Sequence, residues 1–168
     1  MRYAQIRDMD IVNGKGIGVS IFFQGCSAPH CKGCFNSSTW DFNGGKEWTK
    51  EVEDKFIELA KKEHIDHISF LGGEPFAQPL DELTSLVKRI KEQVNKPIWV
   101  WTGYDHMKIP YKYMADVLPY IDYMVDGQFV EELKDMNLKF RGSSNQKIWH
   151  RVSKREWKNI TKMIDAEE

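Results

Sequence analysis

The 168-residue sequence has only three cysteines, all between positions 26 and 34. An odd, clustered set excludes a disulfide framework and leaves no thiolates for a second metal–sulfur centre elsewhere. No apolar run approaches the roughly 20 residues of a membrane-spanning helix. The opening Met1-Arg2-Tyr3-Ala4-Gln5 has no apolar signal core. A net charge of −1 gives no electrostatic support to a nucleic-acid or membrane-surface function. Repeats, linkers and low-complexity segments are missing too. What remains is one domain over residues 1–168, long enough to bury a core without staples. Its 41% hydrophobic and 29% charged residues are those of an ordinary globular chain. Unpaired cysteines without a secretion signal point to the reducing cytoplasm.

The hydrophobic pattern alternates between strand and helix. Tyr3 to Ile11 reads as a strand or hairpin, and Val19 to Phe23 as a short buried strand. Trp48 to Glu63 is a helix with Val52, Phe56, Ile57 and Ala60 on one face. Ile68 to Leu71 is a strand, Leu80 to Val94 a helix, Pro97 to Thr102 a strand and Tyr113 to Leu118 a short helical piece. Tyr123 to Val125 is a fourth strand, Val130 to Lys134 a helical turn and Gln146 to Arg151 a fifth strand. Ser153-x-x-Glu156 is a capping box that opens a last helix with Trp157, Ile160 and Ile164 inward. This order predicts an α/β fold with right-handed βαβ units and a parallel sheet. About five units fall short of the eight that close a barrel. Gly14-x-Gly16-x-Gly18 precedes a strand and lacks the dinucleotide spacing, so it reads as a lead-in.

The chemistry gathers in Gly25 to Asn36. Cys26, Cys31 and Cys34 stand in C-x4-C-x2-C order, after a strand end, where α/β sheets place ligands. Soft thiolates select zinc, copper(I) or an iron–sulfur cluster. A cubane cluster takes four thiolates, so three leave one iron open to a small ligand. Spacing alone leaves two other readings: a zinc site completed by His30, or a redox pair in Cys31-x-x-Cys34. A second strand end carries Gly72-Gly73-Glu74-Pro75, whose glycines let backbone approach a ligand closely. Thr102-Gly103 and Asp126-Gly127 end the next two strands and face the same rim.

The cysteine loop resembles the cluster motif of radical S-adenosylmethionine (SAM) enzymes, and Phe70-Leu71-Gly72-Gly73-Glu74-Pro75 resembles their GGE motif. Trp99 to Tyr104 and Phe140 to Gln146 narrow the resemblance to the activating enzymes of anaerobic (class III) ribonucleoside-triphosphate reductases. It runs in order over nearly the whole chain. Two departures stand out: one extra residue between Cys26 and Cys31, and Gly14-Lys15-Gly16-Ile17-Gly18 where the family reads G-P-G-I-R.

The resemblance implies an open, partial parallel β/α barrel of the radical SAM type. Cys26, Cys31 and Cys34 would hold a [4Fe-4S] cluster, with SAM at the fourth iron. The Gly72-Gly73-Glu74 turn would receive the SAM amino group, with Glu74 as an anionic acceptor. Gly33 would bring the loop backbone near the adenine, and Phe35 would stack on it or simply pack in the core. Thr102 would border the cofactor, and Asp126 would accept from a ribose hydroxyl or serve only as a turn former. The implied activity is glycyl-radical formation on the anaerobic reductase as protein substrate, with an electron donor such as flavodoxin. The alternatives are activation of another glycyl-radical enzyme, a small-molecule reaction of the deazaguanine-forming kind, or a non-catalytic zinc or thiol-redox module. The Lys- and Arg-rich segment Lys139 to Lys162 is a solvated face or a dock for an acidic donor. Ser143, Ser144, Asn145 and Gln146 match the signature without an assigned role, and His64, His67, His106 and His150 read as surface or packing residues.

Overall fold

The computed structural model describes residues 1–26, 31–34 and 37–167. In chain order the elements are β1 (Arg2–Asp10), β2 (Gly18–Phe23), β3 (Lys46–Glu47), α1 (Lys50–Lys61), β4 (His67–Gly72), α2 (Leu80–Gln93), β5 (Ile98–Trp101), α3 (Tyr111–Asp116), β6 (Tyr123–Asp126), β7 (Lys147–Arg151), β8 (Trp157–Asn159) and α4 (Thr161–Ala166). Short 3-10 turns, among them Pro75–Ala77 and Glu131–Leu133, fill several connections.

The strands form one sheet in the order β3-β1-β2-β4-β5-β6-β7-β8. Its centre, β2-β4-β5-β6, is parallel. Both flanks are antiparallel. Among the described residues β3 and β8 remain as edges, so the sheet is open. The fold is thus mixed α/β.

Strand alternation gives the two sheet faces different work. Val19, Ile21 and Phe23 of β2, Ile68 and Phe70 of β4, and Ile98 and Val100 of β5 join one core with α1 and α2. Phe56, Ile57 and Ala60 supply the α1 side of that core; Leu83, Leu86, Val87 and Ile90 supply the α2 side. Thr49 caps α1 by accepting from Val52 N–H at 3.2 Å, with Glu51 and Glu53 in the first turn. On the alternate positions, Trp99 and Val125 pack with Ile148, Ile160 and Ile164, which places α4 against this second set. Every residue of β2 is buried, as suits a strand inside the sheet and covered on both faces.

Two expectations need correction. The strand at Gln146 to Arg151 exists as β7 but runs antiparallel to β6, so the parallel set has four strands. Direction is not written in a strand's composition; here it follows from the return path of the chain after β6. The capping box at Ser153 and Glu156 does not open a helix. Val152 N–H donates to the Glu156 carbonyl at 2.8 Å, closing a β7–β8 hairpin turn. The helix begins only at Thr161, whose N–H donates to Asn159 Oδ1 at 3.0 Å. Ladder bonds to β7 and the packing of Trp157 on the main core outweigh a cap worth about 1 kcal/mol. Ile160 and Ile164 do point inward as expected.

Leu86 is fully buried between α2 and the sheet. Leu86→Ala should therefore cost about 2–5 kcal/mol, read as a lower denaturant midpoint with an unchanged slope.

Candidate active site

β2 leads straight into the cysteines. Gly25 lies at φ +112°, a region that favours glycine. Its N–H donates to the Thr39 carbonyl at 2.7 Å, and the Cys26 N–H to the Trp40 carbonyl at 3.1 Å. The segment returning from the cysteines is thus laid against the arm that carries Cys26. Cys34 N–H donates to the Cys31 carbonyl at 3.3 Å, making a turn with Gly33 at φ +73°. All three cysteines are of intermediate exposure and none is in a disulfide.

They line a cavity of about 430 Å³, within the range of small-ligand clefts. Gly72, Gly73, Glu74 and Thr102 line it too. Seven residues named from sequence therefore converge on one space. Gly33 and Asp126 are not among the lining residues, and Phe35 lies outside the described residues. Phe22, Leu71 and Trp101 occupy alternate positions to the helix-facing side chains of their strands and give the cavity an apolar wall.

The two glycines at the end of β4 have a more immediate reason than ligand approach. Gly72 has φ +107°, and a Cβ there would sit 2.6 Å from the Phe23 nitrogen. A Cβ on Gly73 would sit 2.2 Å from the Gly25 carbonyl oxygen. Through this gap Gly73 N–H donates to the Phe23 carbonyl at 2.9 Å and Glu74 N–H to the Gly25 carbonyl at 2.8 Å. The glycines let the second turn seat directly on the cysteine-bearing arm.

The Glu74 carboxylate turns into the protein and is only 4% exposed. Oε2 accepts from Phe76 N–H at 3.0 Å and Thr102 Oγ1 at 2.8 Å; Oε1 accepts from Gly103 N–H at 2.7 Å. Burial pushes its carboxyl up to about 7, opposed by those three donors. It clamps the ends of β4 and β5 together while still lining the cavity. Thr102 belongs to the same clamp: its hydroxyl also accepts from Tyr104 N–H at 3.1 Å.

Asp126 is likewise tied into the fold. Oδ1 accepts from Trp149 Nε1 at 2.8 Å and Oδ2 from His106 N–H at 2.7 Å, with His106 Nδ1 3.1 Å away. Both oxygens are engaged within the fold, which gives Asp126 a structural role at the end of β6. The neighbour Gly127 lines the cavity instead. His106 and the Trp149 ring lie 4.2 Å apart, in keeping with a packing role.

The Ser143 to Gln146 signature acquires a role. Gln146 Oε1 accepts from Gly142 and Ser143 N–H at 2.9 and 3.1 Å, and its Nε2 donates to the Gly127 carbonyl at 3.0 Å. Asn145 Nδ2 donates to the Gln128 carbonyl at 2.8 Å, and Ser143 Oγ accepts from Val130 N–H at 3.2 Å. The motif buckles one cavity wall onto the exit of β6. Sequence reading missed Phe22, Trp101, Gln24 and Gln78. The last two leave one usable signal, a polar residue embedded in an apolar stretch beside a motif.

The donor set fits a metal–sulfur group with an open position. Burial raises the Cys26 thiol to about 11, and Glu74 and the other thiols add to the rise, so the metal-free side chain is protonated at pH 7. A bound metal would displace that proton. Among the described residues no fourth cysteine or histidine lines the cavity. Gly73→Ala should displace the cysteine arm, since backbone sits on both sides of the new methyl. Iron bound after anaerobic reconstitution should fall severalfold while the far-UV spectrum keeps its helical content.

A family profile described as a 4Fe-4S single cluster domain matches residues 12–149. Three proteins named anaerobic ribonucleoside-triphosphate reductase-activating protein are similar throughout. The one from Vibrio cholerae is 42% identical over 157 residues, covering 91% of this chain and 99% of its own. That from Salmonella typhimurium is 44% identical over 156 residues, covering 89% and 99%. That from Haemophilus influenzae is 38% identical over 156 residues, covering 90% and 98%.

Proposed function

The chain belongs to the family of anaerobic ribonucleoside-triphosphate reductase-activating proteins, and on that premise we propose that it is a radical SAM activase that installs a glycyl radical on the anaerobic reductase. The observation that carries this reading is the convergence of three cysteines and the Gly72-Gly73-Glu74 turn on one cavity. The open sheet with its parallel centre fits a partial barrel of the radical SAM type, formed by residues 1–168 as one domain.

Cys26, Cys31 and Cys34 would hold a [4Fe-4S] cluster, leaving one iron for the amino and carboxylate groups of SAM. When bound, the cluster and SAM would supply one-electron reductive chemistry able to remove a hydrogen atom from a glycine of the partner. The chain's own residues bind, orient and exclude water. The peptide groups of Gly72 and Gly73 would border the amino group, with the Glu74–Thr102 clamp fixing them. Phe22, Leu71 and Trp101 keep that region dry.

The substrate is a macromolecule that completes the site. Val12 and Met136 both line the cavity, yet are 65% and 77% exposed. Apolar side chains left open at a radical-forming cleft suit coverage by a protein segment, and glycine lets its backbone approach most closely.

An external donor such as flavodoxin would supply the electron. Within the basic run from Lys139 to Lys162, the residues at the far end of β7 are poorly placed to dock it. Asp126 pairs with Lys147 at the cysteine end of the sheet, and β7 runs away from there, so Lys154 and Arg155 sit in the hairpin turn at the far end. A solvated face is the better account of them. No helix among the described residues is long and apolar enough to cross a membrane; the reductive chemistry and cysteines outside any disulfide suit the cytoplasm.

Reconstituted without oxygen, the protein should bind about four irons. With SAM, a strong reductant and the anaerobic reductase it should give a glycyl doublet by EPR. Each of Cys26→Ala, Cys31→Ala and Cys34→Ala should abolish the doublet. Zinc in place of iron and sulfide, or an active cluster with no doublet while a small molecule consumes SAM, would contradict the proposal.

A further inference from the structure

Gln78 follows Glu74 by four residues, at the end of the Pro75–Ala77 turn. It is 2% exposed. Its side-chain Nε2 donates twice, to the Gln24 carbonyl at 3.3 Å and to the Glu74 carbonyl at 3.1 Å. Both partners can only accept, so the amide's orientation follows from the network. Its own main-chain carbonyl accepts from Tyr113 OH at 2.5 Å, which fastens the turn to α3.

The link continues on the other side. Gln24 precedes Cys26 by two residues, is 3% exposed, and its Nε2 donates to the Ser38 and Asp41 carbonyls at 3.2 and 2.8 Å. Two primary amides in series therefore join three stretches of backbone: the GGE turn, the approach to Cys26, and the return from the cysteines. A primary amide suits this place because one nitrogen offers two donors to carbonyls that would otherwise repel each other. A methionine would fill the same volume and hold neither.

We infer that Gln78 is a positioning residue, setting the distance between the cysteine arm and the GGE turn so that one ligand can span both. This rests on the function proposed above. The cysteines alone hold the cluster, so slack in the link should weaken SAM while leaving iron binding intact. A merely structural role would lower stability and iron content together.

The test uses full-length Gln78→Met, reconstituted anaerobically beside wild type. Iron per chain, SAM affinity by equilibrium dialysis, melting temperature, and the change that SAM makes in the reduced cluster's EPR spectrum are read. The expected result is wild-type iron content with SAM bound about tenfold more weakly. The EPR change should be incomplete at SAM concentrations that saturate wild type. Full iron with unchanged SAM affinity overturns the inference. So does a joint fall of iron and melting temperature with unchanged affinity per intact cluster. If Gln78→Met does not fold, Tyr113→Phe carries the test, because it removes only the hydroxyl holding the Gln78 carbonyl. Severalfold weaker SAM binding at full iron content then supports the role, and unchanged binding overturns it. A wild type that loads iron and binds no SAM overturns the proposed function and this inference with it; failure in the variants alone leaves the function standing.

Discussion

The Glu74 N–H reaches the Gly25 carbonyl at 2.8 Å only because Gly73 has no side chain. That contact, with the Gly73 N–H bond to the Phe23 carbonyl beside it, joins the ends of two parallel strands. One end leads to Cys26, and the other makes the turn that borders the cavity. Everything around it reinforces the junction: the carboxylate of Glu74 reaches sideways to Thr102 and Gly103 on the next strand. A buried carboxylate with three donors is costly to remove, since its partners would be left unsatisfied. The result is a rim whose adjacent strand ends are held to one another before any cofactor arrives, as preorganised sites require.

The sheet makes this possible by dividing its residues by parity. Val19, Ile21 and Phe23 anchor β2 to the helices, and Phe22 between them faces the cavity. The same holds for Phe70 and Leu71 on β4, and for Val100 and Trp101 on β5. Rigidity comes from one set and chemistry from the other. Near the base of the second set Trp99 stacks 4.4 Å from Tyr123 and 5.7 Å from Trp101, giving the cavity wall a stiff aromatic backing.

The parts of this arrangement written locally were legible in sequence. The β2, β4, β5 and β6 strands, helices α1 and α2, and the cysteine and GGE turns each carry their own pattern of apolar period and glycine. The direction of β7 was not, because parallel and antiparallel neighbours use the same residues. The hairpin at Ser153 to Glu156 was hidden by a capping pattern, a short-range preference that ladder pairing overrode. Glu74 and Asp126 were placed at the right strand ends, but their bonds within the fold were not foreseen. Which way a carboxylate turns there depends on donors from other strands, such as Gly103 and Trp149, and no local pattern records them. Gln24 and Gln78 escaped for the same reason, since a lone glutamine becomes a link only when its partners are brought to it.

The central claim is that three cysteines hold a cluster whose one remaining iron takes SAM at this rim. The most direct measurement is the Mössbauer spectrum of protein reconstituted with isotopically enriched iron, recorded before and after SAM is added. The account predicts that about one iron in four changes its parameters on SAM binding while the others do not. A spectrum indifferent to SAM, or one showing four equivalent irons with and without it, would contradict it.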